Sequence, residues 1–202
     1  MLYHCANSHH LLLLFFQIKW PDPWMHDHPD LHADDTPIFL ISVDGVHCRI
    51  EEPSHPQLSK NPEFYSHKFC QAGVNYEIAV SVFTNSVVWV KGPVPAGKPD
   101  IDVFRNGGLK NMIPAGKRVI ADNGYRGEKA IISTPNSHDP PELRKFKSRA
   151  RSRHESFNSR LKEFGCLEQR FRHHFAKHKL VFEAIVVICQ YQLENGSPLF
   201  DV

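Results

Sequence analysis

From Pro37 onward the hydrophobic positions fall into short runs at strand spacing, followed by long stretches at helical spacing. Ile38 to Val43 is a continuous apolar, β-branched run, the pattern of a strand buried on both faces. Gly45 and His47 to Ile50 extend it past a bend. Val74 to Val82 alternates, Asn85 and Ser86 read as a turn, and Val87 to Val90 returns, which predicts a hairpin. Gly92 to Gly97 is a Pro/Gly loop, and Ile101 to Leu109 starts a short helix. Val119 to Ala121 and Ala130 to Ser133 read as two further short strands. His138, Asp139, Pro140 and Pro141 halt regular structure before a basic helix.

In that helix Ala150, Phe157, Leu161 and Phe164 share one apolar stripe, and Glu155 lies roughly 160° from its centre. Glu155 is therefore free to face a cleft, although an ordinary exposed glutamate fits the same count. Leu180 to Tyr191 is nearly all apolar around Glu183 and predicts a buried closing helix, ended at residues 194–198. Strands first and helices last predict an α/β protein, a mixed sheet flanked by helices. Residues 1–36 read as an irregular lead-in rich in Pro, Asp and His. Its apolar run, Leu11 to Phe16, is far short of the ~20 residues that span a bilayer, and reads as a buried helix or strand.

Composition narrows the class. The chain has 202 residues, enough for one well-buried domain over 37–197, and its 41% hydrophobic and 23% charged residues are those of a globular protein. Five cysteines without paired spacing point to reduced thiols in an intracellular compartment. Net charge is only +2, yet residues 144–179 hold twelve Lys and Arg against three Glu, so this stretch stands at +9 and the remainder at −7. Such asymmetry suits a polyanion bound on one side; a solvated helical surface is the plainer reading of a basic run. The fourteen histidines raise zinc as an idea. The pairs Cys5/His9 and His67/Cys70 and the group His173, His174, His178 match no finger pattern, and the last three are read as extending the basic surface.

The candidate chemistry lies in three acids. Asp44 and Asp122 each end an apolar run, and Glu155 sits in the basic helix. Oxygen donors of this kind suit Mg²⁺ or Mn²⁺, which are held by a few carboxylates together with waters and phosphates. Taken singly, Asp44-Gly45 and Asp122-Asn123-Gly124 are as consistent with turns.

Four strings follow one another in order: Val43-Asp44-Gly45-Val46-His47, residues 99–105 (Pro-Asp-Ile-Asp-Val-Phe-Arg), Asp122-Asn123-Gly124-Tyr125, and Glu155-x-x-Asn158-x-x-Leu161-Lys162-x-Phe164. Together they resemble the catalytic domain of DDE transposases, the Harbinger-type superfamily endonucleases and their bacterial insertion-sequence relatives, over residues 38 to 196. The resemblance implies an RNase H-like fold, with the first acid on the first strand, the second just after the fourth, and the third on a helix. It implies a DNA endonuclease or transposase, nuclear in a eukaryote, that cuts phosphodiester bonds and can join strands.

In that family two Mg²⁺ or Mn²⁺ ions would be held by Asp44 bridging both, Asp122 on one and Glu155 on the other. Arg151, Arg153, Arg160 and Lys162 would contact DNA phosphates. His47 matches the family's Asp-Gly-x-His, as an orienting group or a packed strand histidine. Asp100 either helps order the site or caps its helix, the cap being favoured, and Asn158 is a supporting residue. The lead-in would be the remnant of a lost DNA-binding segment. That makes a separate DNA-reading partner and a homo-oligomer the expected company. A truncated or domesticated binding module without catalysis is the alternative.

Overall fold

The structure, a computed structural model, describes residues 38–53 and 61–202. The lead-in, with its apolar run and the Cys5/His9 pair, lies outside the described residues. Six strands form one sheet: β1 (Ile38–Arg49), β2 (Tyr65–Ser66), β3 (Gln71–Ser81), β4 (Val87–Pro95), β5 (Lys117–Ala121) and β6 (Ile132–Ser133). The order is β2-β3-β1-β5-β6, with β4 also on β3. β1, β3 and β4 pair antiparallel, whereas β1, β5 and β6 pair parallel. β1 is thus the strand at which the sheet changes direction. This mixed α/β sheet flanked by helices agrees with an RNase H-like fold. The short β2, absent from the sequence reading, makes Asp122 follow the fifth strand in chain order.

Among the described residues there are five α-helices: α1 (Asp100–Gly107), α2 (Leu109–Met112), α3 (Pro141–Glu163), α4 (Gly165–Glu168) and α5 (Phe175–Glu194). α1 stops where Gly108 turns left-handed at φ 109°, a conformation costly for any residue with a Cβ. α3 starts on Pro141, whose missing amide hydrogen costs nothing in a first turn. Burial on both faces explains the continuous apolar run of β1. Val46, Cys48, Ile78 and Val80 pack against Phe157 and Leu161 of α3 and Phe182 and Val186 of α5. Val43 and Ala79 pack with Phe104, Leu109 and Tyr125 on the opposite face. A register shift between Phe39 and Ile41 sends Phe39 to the α3 side, against Ala150 and Phe146.

Two expectations are corrected. α5 is not buried all round: Leu180, Ile188 and Tyr191 are exposed, a second apolar stripe behind the core stripe of Phe182, Val186, Cys189 and Leu193. His178 does not extend the basic surface. It is fully buried, hydrogen-bonded through Nδ1 to the Tyr76 hydroxyl at 2.8 Å, and burial pulls its pKa down to about 4. His174 keeps its surface place and accepts a bond from the Ala176 amide at the start of α5. No described helix is long and apolar enough to cross a membrane.

Candidate active site

The last parallel pair between β1 and β5 is Val43 with Ala121, and the next residue on each strand is an acid: Asp44 and Asp122. Neighbouring strands run about 4.8 Å apart, so the two carboxylates leave the sheet side by side where the pairing ends. Asp122 also caps the short 3-10 turn Asn123–Tyr125, accepting from the Gly124 amide at 2.8 Å. Burial raises the Asp44 pKa to about 6, opposed by the Gly45 amide at 2.8 Å and reinforced by the charges of Asp122 and Asp100.

Asp100 is not a helix cap. Pro99 holds that position without a side-chain bond, and Asp100 turns its carboxylate to Asn75, accepting from Nδ2 at 2.7 Å. A Cβ on Gly45 would come within 2.9 Å of Asp100 Oδ1, and a Cβ on Gly124 within 2.9 Å of Oδ2. Neither glycine has a left-handed φ, so space and not backbone conformation requires them. The glycines that follow Asp44 and Asp122 thus make room for a third carboxylate, and burial raises the pKa of that group as well. Behind it lies Glu77, fully buried, accepting from Trp89 Nε1 at 3.0 Å, with its pKa raised by burial to about 7.

α3 lies along β1 and is tied to it by three polar rungs. His154 Nδ1 meets Ser42 Oγ at 2.9 Å, Asn158 Nδ2 donates to Asp44 Oδ2 at 2.9 Å, and Lys162 Nζ donates to the His47 carbonyl at 2.6 Å. Four helical residues rise about 6 Å and two strand residues about 6.6 Å, which is why residues 154 and 158 keep step with Ser42 and Asp44; the third rung, one strand residue further on, is spanned by the long Lys162 side chain. His154 is completely buried, and desolvation lowers its pKa to about 3, so it packs as a neutral ring.

Glu155 stands between the first two rungs. Its side chain is 64% exposed and lies 3.8 Å from Arg151. It lines the same cleft as Asp44 and Asp122, a cavity of about 810 Å³ to which Lys68, Phe69 and Arg151 also contribute. Among the described residues, no three His, Cys, Asp or Glu side chains stand close enough to ligate one ion. The α3 residue hydrogen-bonded to Asp44 is the amide Asn158.

The four cations expected to face DNA divide. Arg151 lines the cleft. Arg153 does not: it is 2% exposed and donates to the Thr84 carbonyl at 2.7 Å, Asn85 Oδ1 and the Phe200 carbonyl. Arg160 donates to the carbonyls of Ser197 and Pro198 in the C-terminal segment. Lys162 reaches the cleft wall, but its ammonium is committed to the carbonyls of His47 and Leu167. A charge count along the chain cannot separate these roles, since each depends on which carbonyl the fold brings near. His47 lines the cleft with its ring edge-on to Phe69, and burial together with Lys68 and Lys162 lowers its pKa to about 4. Lys68, Phe69 and Asn75 carry no sequence signal; they join the site only through the sheet.

The family model for DDE superfamily endonucleases matches residues 43–190, from one residue before Asp44 to near the end of α5. No curated protein matches the chain. The span holds Asp44, Asp122, Asp100, the α3 residues of the rungs and Glu155, and the chain belongs to the DDE superfamily endonucleases.

Proposed function

We propose that this protein is a metal-dependent DNA endonuclease of the Harbinger type, with Asp44, Asp122 and Glu155 as its catalytic acids and Asp100 beside them. The observation that carries the reading is the pairing of Val43 with Ala121, which sets Asp44 and Asp122 next to each other on a cleft that Glu155 also lines. Like charges crowded at a buried edge favour a bound cation, and the donors are all hard oxygens, so the residues fit Mg²⁺ or Mn²⁺. Asp44 and Asp122 would hold two such ions, with Glu155 joining them from α3. Bound there, the metal supplies an activated attacking oxygen and neutralises charge on the phosphate and the leaving oxygen.

The chain's own groups do the rest. Asn158 and the Gly45 amide fix the two oxygens of Asp44. Asp100 and Asn75 brace the Asp122 turn against β1. Arg151 offers a phosphate contact, which positions a duplex without reading its sequence. Base recognition belongs, in this reading, to a separate partner protein, and the reaction extends to strand joining when a 3′-hydroxyl replaces water.

The test is nicking of supercoiled plasmid DNA in Mg²⁺ or Mn²⁺, compared with the triple variant Asp44→Ala, Asp122→Ala, Glu155→Ala. Cleavage by wild type alone supports the reading, and equal cleavage by both defeats it. A second reading, a binding module without catalysis, is favoured by the exposure of Glu155 and its ion pair with Arg151. Calorimetric titration with Mn²⁺ separates the two: a catalytic site binds the ion and loses it in Asp44→Asn.

A further inference from the structure

The turn between β2 and β3, residues 67–70, forms a wall of the cleft that the basic helix does not supply. Its fold is specific. Cys70 closes it at φ 53°, and the Phe69 amide bonds back to the Ser66 carbonyl at 3.3 Å. Phe69 then anchors the turn to the site. Its ring takes the Arg49 guanidinium at 4.6 Å and the Lys162 ammonium at 5.9 Å, and its edge meets His47 at 6.5 Å. Anchored in this way, the turn carries Lys68 onto the cleft, exposed, with its ammonium 6.0 Å from the Phe69 ring.

Among the described residues no carboxylate within ion-pair distance of Lys68 is found. Its charge nevertheless acts on Asp44, Asp100 and His47 together. A lysine above a carboxylate cluster weakens that cluster's hold on a free cation, so it makes no sense as part of a metal site alone. It makes sense where the cation arrives with an anion that needs a partner of its own.

We propose that Lys68 is a phosphate-binding residue of the cleft, which with Arg151 grips a nucleic-acid backbone from two separate elements of the fold. This rests on the endonuclease reading for the identity of the anion, a phosphodiester. Phe69 is the positioning residue that holds the turn, and Lys68 makes the contact.

Two opposite responses test it. The probes are a short duplex DNA of arbitrary sequence, titrated at several salt concentrations without divalent metal, and Mn²⁺ alone, titrated calorimetrically. Lys68→Gln should weaken duplex binding about threefold to tenfold and reduce the slope of log affinity against log salt by about 1. The same variant should bind Mn²⁺ as tightly as wild type or more tightly, since a nearby positive charge is gone. Lys68→Arg should restore the slope.

An unchanged slope in Lys68→Gln overturns the inference, and so does a parallel loss of duplex and Mn²⁺ binding, which marks a merely structural lysine. If wild type binds no duplex, the inference falls as well. Because the readout is binding, it separates from the reading beneath it. A protein that cuts DNA with an unaltered slope in Lys68→Gln refutes only the lysine, and one that shows the slope change without cutting refutes only the nuclease.

Discussion

Asn158 of α3 donates its side-chain amide to Asp44 Oδ2 of β1 across 2.9 Å, although 114 residues separate them in the chain. Glu155 lies one turn of helix before Asn158, so this bond sets where the helix-borne acid stands relative to the strand-borne one. The rungs at His154 and Lys162 hold the same register from either side. The position of Glu155 is thus governed by groups that are not themselves acids.

Removing that bond should uncouple the helix from the strand. Asn158→Ala is expected to cost about 1 kcal/mol in stability, the usual worth of one such bond. It should also lower kcat for plasmid nicking at least tenfold, with little change in KM. Urea unfolding and single-turnover cleavage check the two parts. A loss confined to stability would make Asn158 a packing residue only.

The glycine beside Asp122 should be coupled to Asp100. Gly124→Ala sets a Cβ 2.9 Å from Asp100 Oδ2 and 3.0 Å from Asp122 Oδ1, and is expected to destabilise by about 1–3 kcal/mol through overpacking. In an Asp100→Ala background part of that cost should vanish, leaving a coupling of about 0.5 kcal/mol or more. Thermal unfolding of the two single variants, the double variant and wild type measures it. Strict additivity would mean that Asp100 does not occupy this gap.

Arg153 and Arg151 should behave as opposites. Arg153→Ala leaves the carbonyls of Thr84 and Phe200 without their buried partner and is expected to cost about 3 kcal/mol. Duplex affinity per folded molecule should be unchanged. Arg151→Ala should leave the unfolding midpoint within a degree or two and weaken duplex binding. Guanidinium unfolding and fluorescence anisotropy distinguish them.

Glu77 predicts a pH dependence. Its pKa is about 7 in the fold against 4.5 for an ordinary glutamate. Below pH 4.5 the carboxyl is protonated in both states and contributes nothing to the balance. As pH rises toward 7 the unfolded chain releases the proton while the fold keeps it, so stability declines through that window. The full penalty above pH 7 is roughly 3 kcal/mol. Glu77→Gln keeps an oxygen for Trp89 Nε1, and should raise the melting temperature at pH 8 while leaving it nearly unchanged at pH 4. An equal shift at both values would place the effect in packing and not in charge.

Much of the fold is legible in the residues. The apolar runs mark β1, β3 and β5 close to where they lie, because central strands must be hydrophobic on both faces; β4, paired with β3 alone, starts with its apolar run at Val87 but continues to Pro95, through residues that read as a Pro/Gly loop. The four ordered strings carry the family, since each pairs a chemical residue with the glycine or helix its local geometry needs. β2 escapes notice because two residues show no period, and Lys68 with it. Asp100 reads as a cap because a helix start is the local explanation for an acid there; its true partner, Asn75, is 25 residues away on β3.

The basic helix shows the division most clearly. Its sequence alone determined that residues 144–179 are strongly positive, that one face is apolar, and that Glu155 is turned from that face. Only the tertiary structure decided where each cation is used. Arg153 is spent on the β3–β4 turn, Arg160 on the C-terminal segment and Lys162 on two carbonyls, while Arg151 keeps the cleft. Helical periodicity is a local property fixed by backbone geometry. The partner of a long charged side chain is set by whichever unpaired carbonyl or carboxylate the packed elements leave within reach, and the order of residues does not record it.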